Sequence, residues 1–149
     1  MNLTDFVKNI KISFEDLEYT NEHGYVKGIS NIFQKNLTDL KATERPIHCS
    51  DKKRLQFYVK DEDKWEKDIT HEKMNKGIES IGKQQILQIK EWEKHHPDFL
   101  EHEEQYMEWN QLVSNMMGGE TKKRREKNIE NIKKIISSDV SMKDALVTQ

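Results

Sequence analysis

At 149 residues, with 34% hydrophobic and 35% charged residues, the chain suits one compact domain with a thin core and wide solvated faces. Its 25 Lys and Arg against 27 Asp and Glu leave a formal charge of −2. That balance argues against a sequence-independent nucleic-acid coat protein, which binds by neutralising phosphates.

The first 23 residues are a mixed lead-in. Phe6, Ile10, Ile12, Phe14 and Leu17 suggest a short strand and then a short helix beginning at Ser13. Ser13-Phe14-Glu15-Asp16 has the spacing of a capping box, in which hydroxyl and carboxylate satisfy free N–H groups. Asn21 to Gly24 breaks the chain. Residues 25–41 then predict an amphipathic helix, with Val26, Ile29, Phe33, Leu37 and Leu40 on one stripe and Ile32 at its edge.

After Pro46 the apolar period changes from 3.6 to 2. Leu55, Phe57 and Val59 alternate with Arg54, Gln56, Tyr58 and Lys60, as in a half-buried strand. Asp61 to Lys64 predicts a turn and Trp65 a return strand. Ile47 and Cys49 alternate in the same way and supply a third.

From Thr70 helical spacing returns, with Met74, Ile78, Ile81, Ile89 and Trp92 on one face and Ile86 or Leu87 added to it. Pro97 ends that helix. Asp98 is a candidate N-cap for the next, which sets Phe99, Tyr106, Trp109, Val113 and Met116 to one side and stops at Gly118-Gly119. A last helix starts near Thr121 with Ile129, Ile132 and Ile136 on one face. The chain beyond Ser138 is expected to be loosely held.

The expected fold is therefore α+β and mostly helical. A small antiparallel hairpin or three-stranded sheet at about 47–67 packs on four or five helices, in an order compatible with a winged-helix-like domain. Residues 24–140 form the domain and 141–149 a flexible tail. The single cysteine permits no internal disulfide and fits a reducing compartment. The N-terminus lacks the apolar stretch of a signal peptide, and no run approaches the roughly 20 apolar residues of a membrane span. An intracellular protein with no membrane contact is expected.

Three stretches bear on catalytic or metal chemistry. Adjacent strand residues point to opposite faces, so His48 is badly placed to deprotonate Cys49, and no second cysteine exists to complete a zinc site. His95, His96, Asp98, His102 and Glu103 lack the two histidines four apart that a hydrolytic zinc helix needs. Asp51, Asp61 and Lys60 match no nuclease spacing, although a metal-dependent nuclease stays as a third alternative. No catalytic residue, metal ligand or cofactor is assigned.

Two basic clusters are candidates for a nucleic acid or an acidic partner. One is Lys52, Lys53 and Arg54; the other is Lys122, Lys123, Arg124 and Arg125, extended by Lys127, Lys133 and Lys134. Tyr58 and Lys60 share the strand face opposite the presumed core and belong to the same candidate surface. The second cluster opens a helix, where the dipole favours anions. Trp92, Tyr106, Trp109, Met116 and Met117 are candidate anchors for a protein interface.

The stretch RPIHCSDKKRLQFYVKDEDKWEKD, residues 45–68, with the later HP break and MMGG stop, resembles a module of uncharacterised proteins from giant DNA viruses of the mimivirus type. The matching positions include Arg45, Pro46, His48, Cys49, Asp51, Tyr58, Asp61, Trp65 and Glu66, and the likeness spans roughly residues 24–140. The resemblance implies a viral protein acting in the host cytoplasm, at a viral factory, or in the nucleus. It implies no chemistry. The sequence thus points to an interaction or assembly module that binds a protein partner or itself, with nucleic-acid binding as the alternative.

Overall fold

Both sequence periods are realised in the computed structural model, which describes residues 1–142. The chain runs α1 (Leu3–Lys8), α2 (Phe14–His23), α3 (Tyr25–Thr38), β1 (Ile47–Asp51), β2 (Gln56–Asp61), β3 (Lys64–Lys67), α4 (Glu72–His95), α5 (Glu103–Met116) and α6 (Lys122–Asp139). It is an α+β fold, with one antiparallel sheet of order β1-β2-β3 set on helices.

The sheet follows from the two-residue period. Ile47 pairs with Val59 and Cys49 with Phe57. All four are buried on the inner face. The β2–β3 turn places Glu62 (φ 49) and Asp63 (φ 62) in the left-handed region, the geometry that suits a two-residue hairpin connection. Asn2 holds this turn, its Oδ1 accepting the Asp63 N–H at 2.9 Å and its Nδ2 donating to Asp63 Oδ1 at 3.2 Å. Leu55 (φ 51) lies just before β2, in the loop, yet its side chain is buried.

The first correction concerns residues 3–8, which are helix and not strand. Leu3, Phe6, Val7 and Ile10 recur at helical spacing and enter the main core; the lead-in is thus packed against the domain. The expected capping box is present at Ser13 and Asp16. Asp16 is buried, and Lys35 of α3 pairs with it. Gly24 (φ 92) separates α2 from α3. Ile32, expected at the edge of the α3 stripe, is fully buried in its centre.

In α4 the apolar stripe is continued by Gln85 and not by Ile86 or Leu87, both exposed. Gln85 Nε2 donates to Thr20 Oγ1 at 2.6 Å, so a polar pair closes the helix contact. After Pro97, Asp98 precedes only a short 3-10 turn, Phe99–Glu101, and α5 starts later, at Glu103 after His102. A second, smaller core forms where Leu17, Ile89, Trp92, Leu112 and Met116 meet.

The C-terminal end is held further than expected. Val140 is buried, its carbonyl accepts the Cys49 N–H at 2.7 Å, and Ser141 bridges Cys49. The free edge of β1 is covered in this way. The expected tail falls largely on residues 143–149, outside the described residues.

Candidate functional site

The residues weighed for catalysis do not converge. His48 and Cys49 leave opposite faces of β1. The Cys49 thiol is buried in the core, and burial raises its pKa against the lowering effect of a backbone hydrogen bond at Asp51. The His48 ring lies outside, stacked on Trp65 at 4.9 Å and 27°. Asp51 accepts the backbone N–H groups of Lys53 and Arg54. Asp61, at the other end of β2, accepts from Thr4 Oγ1 at 2.9 Å and faces Lys73 at 3.6 Å. Asp51 pairs with Gln56, the first residue of β2, and Asp61 is its last, so five strand residues separate their backbones by about 17 Å. His95 meets Phe14 edge-on and His96 stacks on Trp92 at 4.1 Å. Among the described residues, no group of three or more His, Cys, Asp or Glu could hold a metal ion.

The basic clusters come closer than their separation in sequence suggests. Lys53 and Arg54 border a cleft of about 690 Å³ whose other wall is α6, including Glu126, Glu130 and Lys134. A neighbouring cleft is bordered by Lys123, Arg124 and Lys127 and shares Glu126 and Glu130. Two carboxylates thus stand between the clusters and interrupt any continuous phosphate track. Lys122 and Arg125 line a third recess, beside Tyr25 and Gly118.

Lys133 is not part of that basic surface: it is only 7% exposed. Its Nζ donates to His71 Nδ1 at 2.8 Å and to Asn75 Oδ1 at 3.0 Å. The Leu55 carbonyl sits 2.8 Å from His71 Nε2, so that nitrogen carries the hydrogen and Nδ1 is left to accept. Burial lowers the Lys133 pKa, against the pull of Glu130 and Asp68. Asp68 is itself buried, accepting the Lys73 and Met74 N–H groups at the start of α4. This cluster ties α6 to the start of α4. A buried lysine has no signature in a sequence this rich in surface lysine.

The expected interface residues divide. Trp92 and Met116 are buried in the second core, and Trp109 and Val113 are partly buried against it. Trp92 of α4 and the three residues of α5 pack the two helices together. Trp109 Nε1 donates to Glu93 at 2.9 Å, and its ring continues an aromatic series from Trp92 through Phe99 to Tyr106. Tyr106 and Met117 are exposed, as are Leu100 and Met107, which sequence reasoning did not single out. Only Leu112 and Met116 of α5 are buried.

The outer face of the sheet forms another surface. His48 lies opposite Tyr58, and Tyr58 opposite Lys67, giving one row across three strands. Lys60 and Trp65 form the adjacent row. Trp65 is 44% exposed, and every residue of β3 is exposed. Burial, and secondarily the Arg45 charge, lowers the His48 pKa. An uncharged imidazole stacks on the indole without carrying a cation into the face.

No family model matches the chain, and no curated protein or solved structure matches it. Among the described residues, no helix is long and apolar enough to cross a membrane.

Proposed function

We propose that the chain is a non-enzymatic assembly module that docks through the face built by Phe99–Glu101 and α5. The observation that supports this is a set of exposed apolar side chains in the Phe99–Glu101 turn and the first turns of α5, interleaved with acid. Leu100, Tyr106 and Met107 are 69%, 42% and 62% exposed, and Glu101, Glu103, Glu104 and Glu108 surround them in the sequence. Large apolar side chains left exposed close together in the chain are the kind that mark interaction sites, and the Trp92–Phe99–Trp109 series packs beneath this segment.

The complement is basic, and the chain carries one. Lys122 to Arg125 stand exposed at the start of α6, where the helix dipole disfavours them. Carboxylates of a second copy would offset that. The acidic and basic patches lie on consecutive helices, so a two-fold pairing can satisfy both at once. A viral origin and a role in assembly within the host cell are part of the same proposal.

Sedimentation velocity tests it. The mass should rise with protein concentration and fall back with salt. Met107→Glu, and Lys123→Glu with Arg124→Glu, should each give a monomer with an unchanged circular dichroism spectrum. A monomer at every concentration would contradict self-assembly.

A second reading, nucleic-acid binding, is favoured by one observation. The Lys52–Arg54 loop leads directly into β2, whose outer face presents Tyr58 and Lys60.

A further inference from the structure

The outer face of the sheet is open, aromatic and cationic. Its rows place His48, Tyr58 and Trp65 beside Lys60 and Lys67. Four of the carboxylates nearby are engaged or turned away, and a fifth, the exposed Glu62, stays in the β2–β3 turn. Asp51 is held by the Lys53 and Arg54 N–H groups. Asp61 pairs with Thr4 below the sheet. Asp63 is tied to Asn2, and Glu66 lies opposite Val59, in the register of the inner face. The acidic turn is thus confined to one end of the face, and the Lys52–Arg54 loop marks the other.

A strand surface of this composition has a chemical preference. Every nucleobase has a π-face, and aromatic side chains on an open sheet stack unpaired bases without reading their edges. A duplex keeps its bases stacked inside and cannot use such a surface. Trp65 does not need to be uncovered by any motion, because one side of its indole rests on His48 and the ring is 44% exposed. Lysines in the same rows supply cations for the phosphates between stacked bases.

We propose that the outer face of β1–β3 is a stacking platform for single-stranded nucleic acid, with bases on Tyr58 and Trp65 and phosphates at Lys60 and Lys67. It rests on the second reading above and shares no residue with the α5 docking face. It also departs from the basic clusters as the main contact, since Glu126 and Glu130 interrupt them.

Fluorescence anisotropy with labelled oligo-dT and oligo-rU dodecamers, and a duplex of the same length, tests it. The single strands should bind and the duplex should bind far more weakly. Tyr58→Ala and Trp65→Ala should each weaken single-strand binding on the order of tenfold. Lys60→Gln and Lys67→Gln should each flatten the salt dependence by roughly 0.7 in the log–log slope. Circular dichroism and thermal unfolding of each variant check the fold, and the exposed Trp65 position makes that variant the more secure. Binding that ignores Tyr58→Ala and Trp65→Ala but fails when Lys122 to Arg125 become Glu would overturn the platform and keep the broader reading. No binding at low salt would overturn both. Self-association through the open edge of β3, abolished by Trp65→Ala, would assign the face to protein and overturn the proposal.

Discussion

Arg45 Nη1 donates to the Asp139 carbonyl at 2.7 Å, across 94 residues of chain, while its Nε donates to the Leu37 carbonyl at 2.9 Å. One guanidinium therefore caps the ends of α3 and α6 together. Last-turn carbonyls lack intrahelical partners, and a cation there also meets the favourable end of the dipole. Arg45→Ala should cost about 1.5–3 kcal/mol, the range of hydrogen bonds to a charged group. Arg45→Lys should recover only part, because an ammonium lacks the planar fork. Urea unfolding of the two variants checks the order.

Gly28 of α3 lies directly against Thr20 of α2. A Cβ there would fall on Thr20 Oγ1 and within 2.6 Å of its Cγ2. Thr20 is fully buried and already holds Gln85. Gly28→Ala should destabilise by about 1–3 kcal/mol, as overpacking does, despite the better helix propensity of alanine. Gly28→Ala combined with Thr20→Ser should recover only a small part, since the Cγ2 overlap goes but the nearer one with Oγ1 stays. Thermal melts would decide.

Lys133 reaches from the buried side of α6 to hold His71 and Asn75. Lys133→Ala leaves both acceptors short of a donor and should cost about 1–3 kcal/mol. The exposed neighbour Lys134 makes an i,i+4 pair with Glu130 at 3.7 Å, and Lys134→Ala should stay within about 0.5 kcal/mol. Equal effects at the two positions would contradict the buried assignment.

His48 gives the pH dependence. Its folded pKa lies below the ordinary 6.5, through burial and then Arg45. Between those two values the unfolded chain binds the proton and the folded chain does not. Stability should therefore fall as pH drops below about 6.5, and the fall from this group should end once the folded imidazole also protonates. His48→Phe should remove that part of the slope and keep the stack on Trp65. Denaturation midpoints from pH 7.5 downward, compared between the two proteins, test the sign.

The sheet was legible because one buried face forces period 2 on Ile47, Cys49, Phe57 and Val59, and no other arrangement hides them together. The helix at residues 3–8 was misjudged because Ile10, Ile12 and Phe14 alternate immediately after it and mask the spacing of Leu3, Phe6 and Val7. Gln85 was passed over for Ile86 and Leu87 because hydropathy cannot see that Thr20 waits to accept its N–H. Met116 and Met117 differ in burial and not in type; only the position of α5 against α2 and α4 separates them. The His48–Trp65 stack spans three strands and needs the register of both pairings, which a hairpin pattern alone does not supply.

Hydrogen exchange at low and high protein concentration tests the docking proposal most directly. Assembly through α5 predicts that amides within residues 100–108 and 122–127 gain protection together as the concentration rises, and that Met107→Glu abolishes the gain. Unchanged exchange in both segments, in a protein that nevertheless assembles, would contradict it.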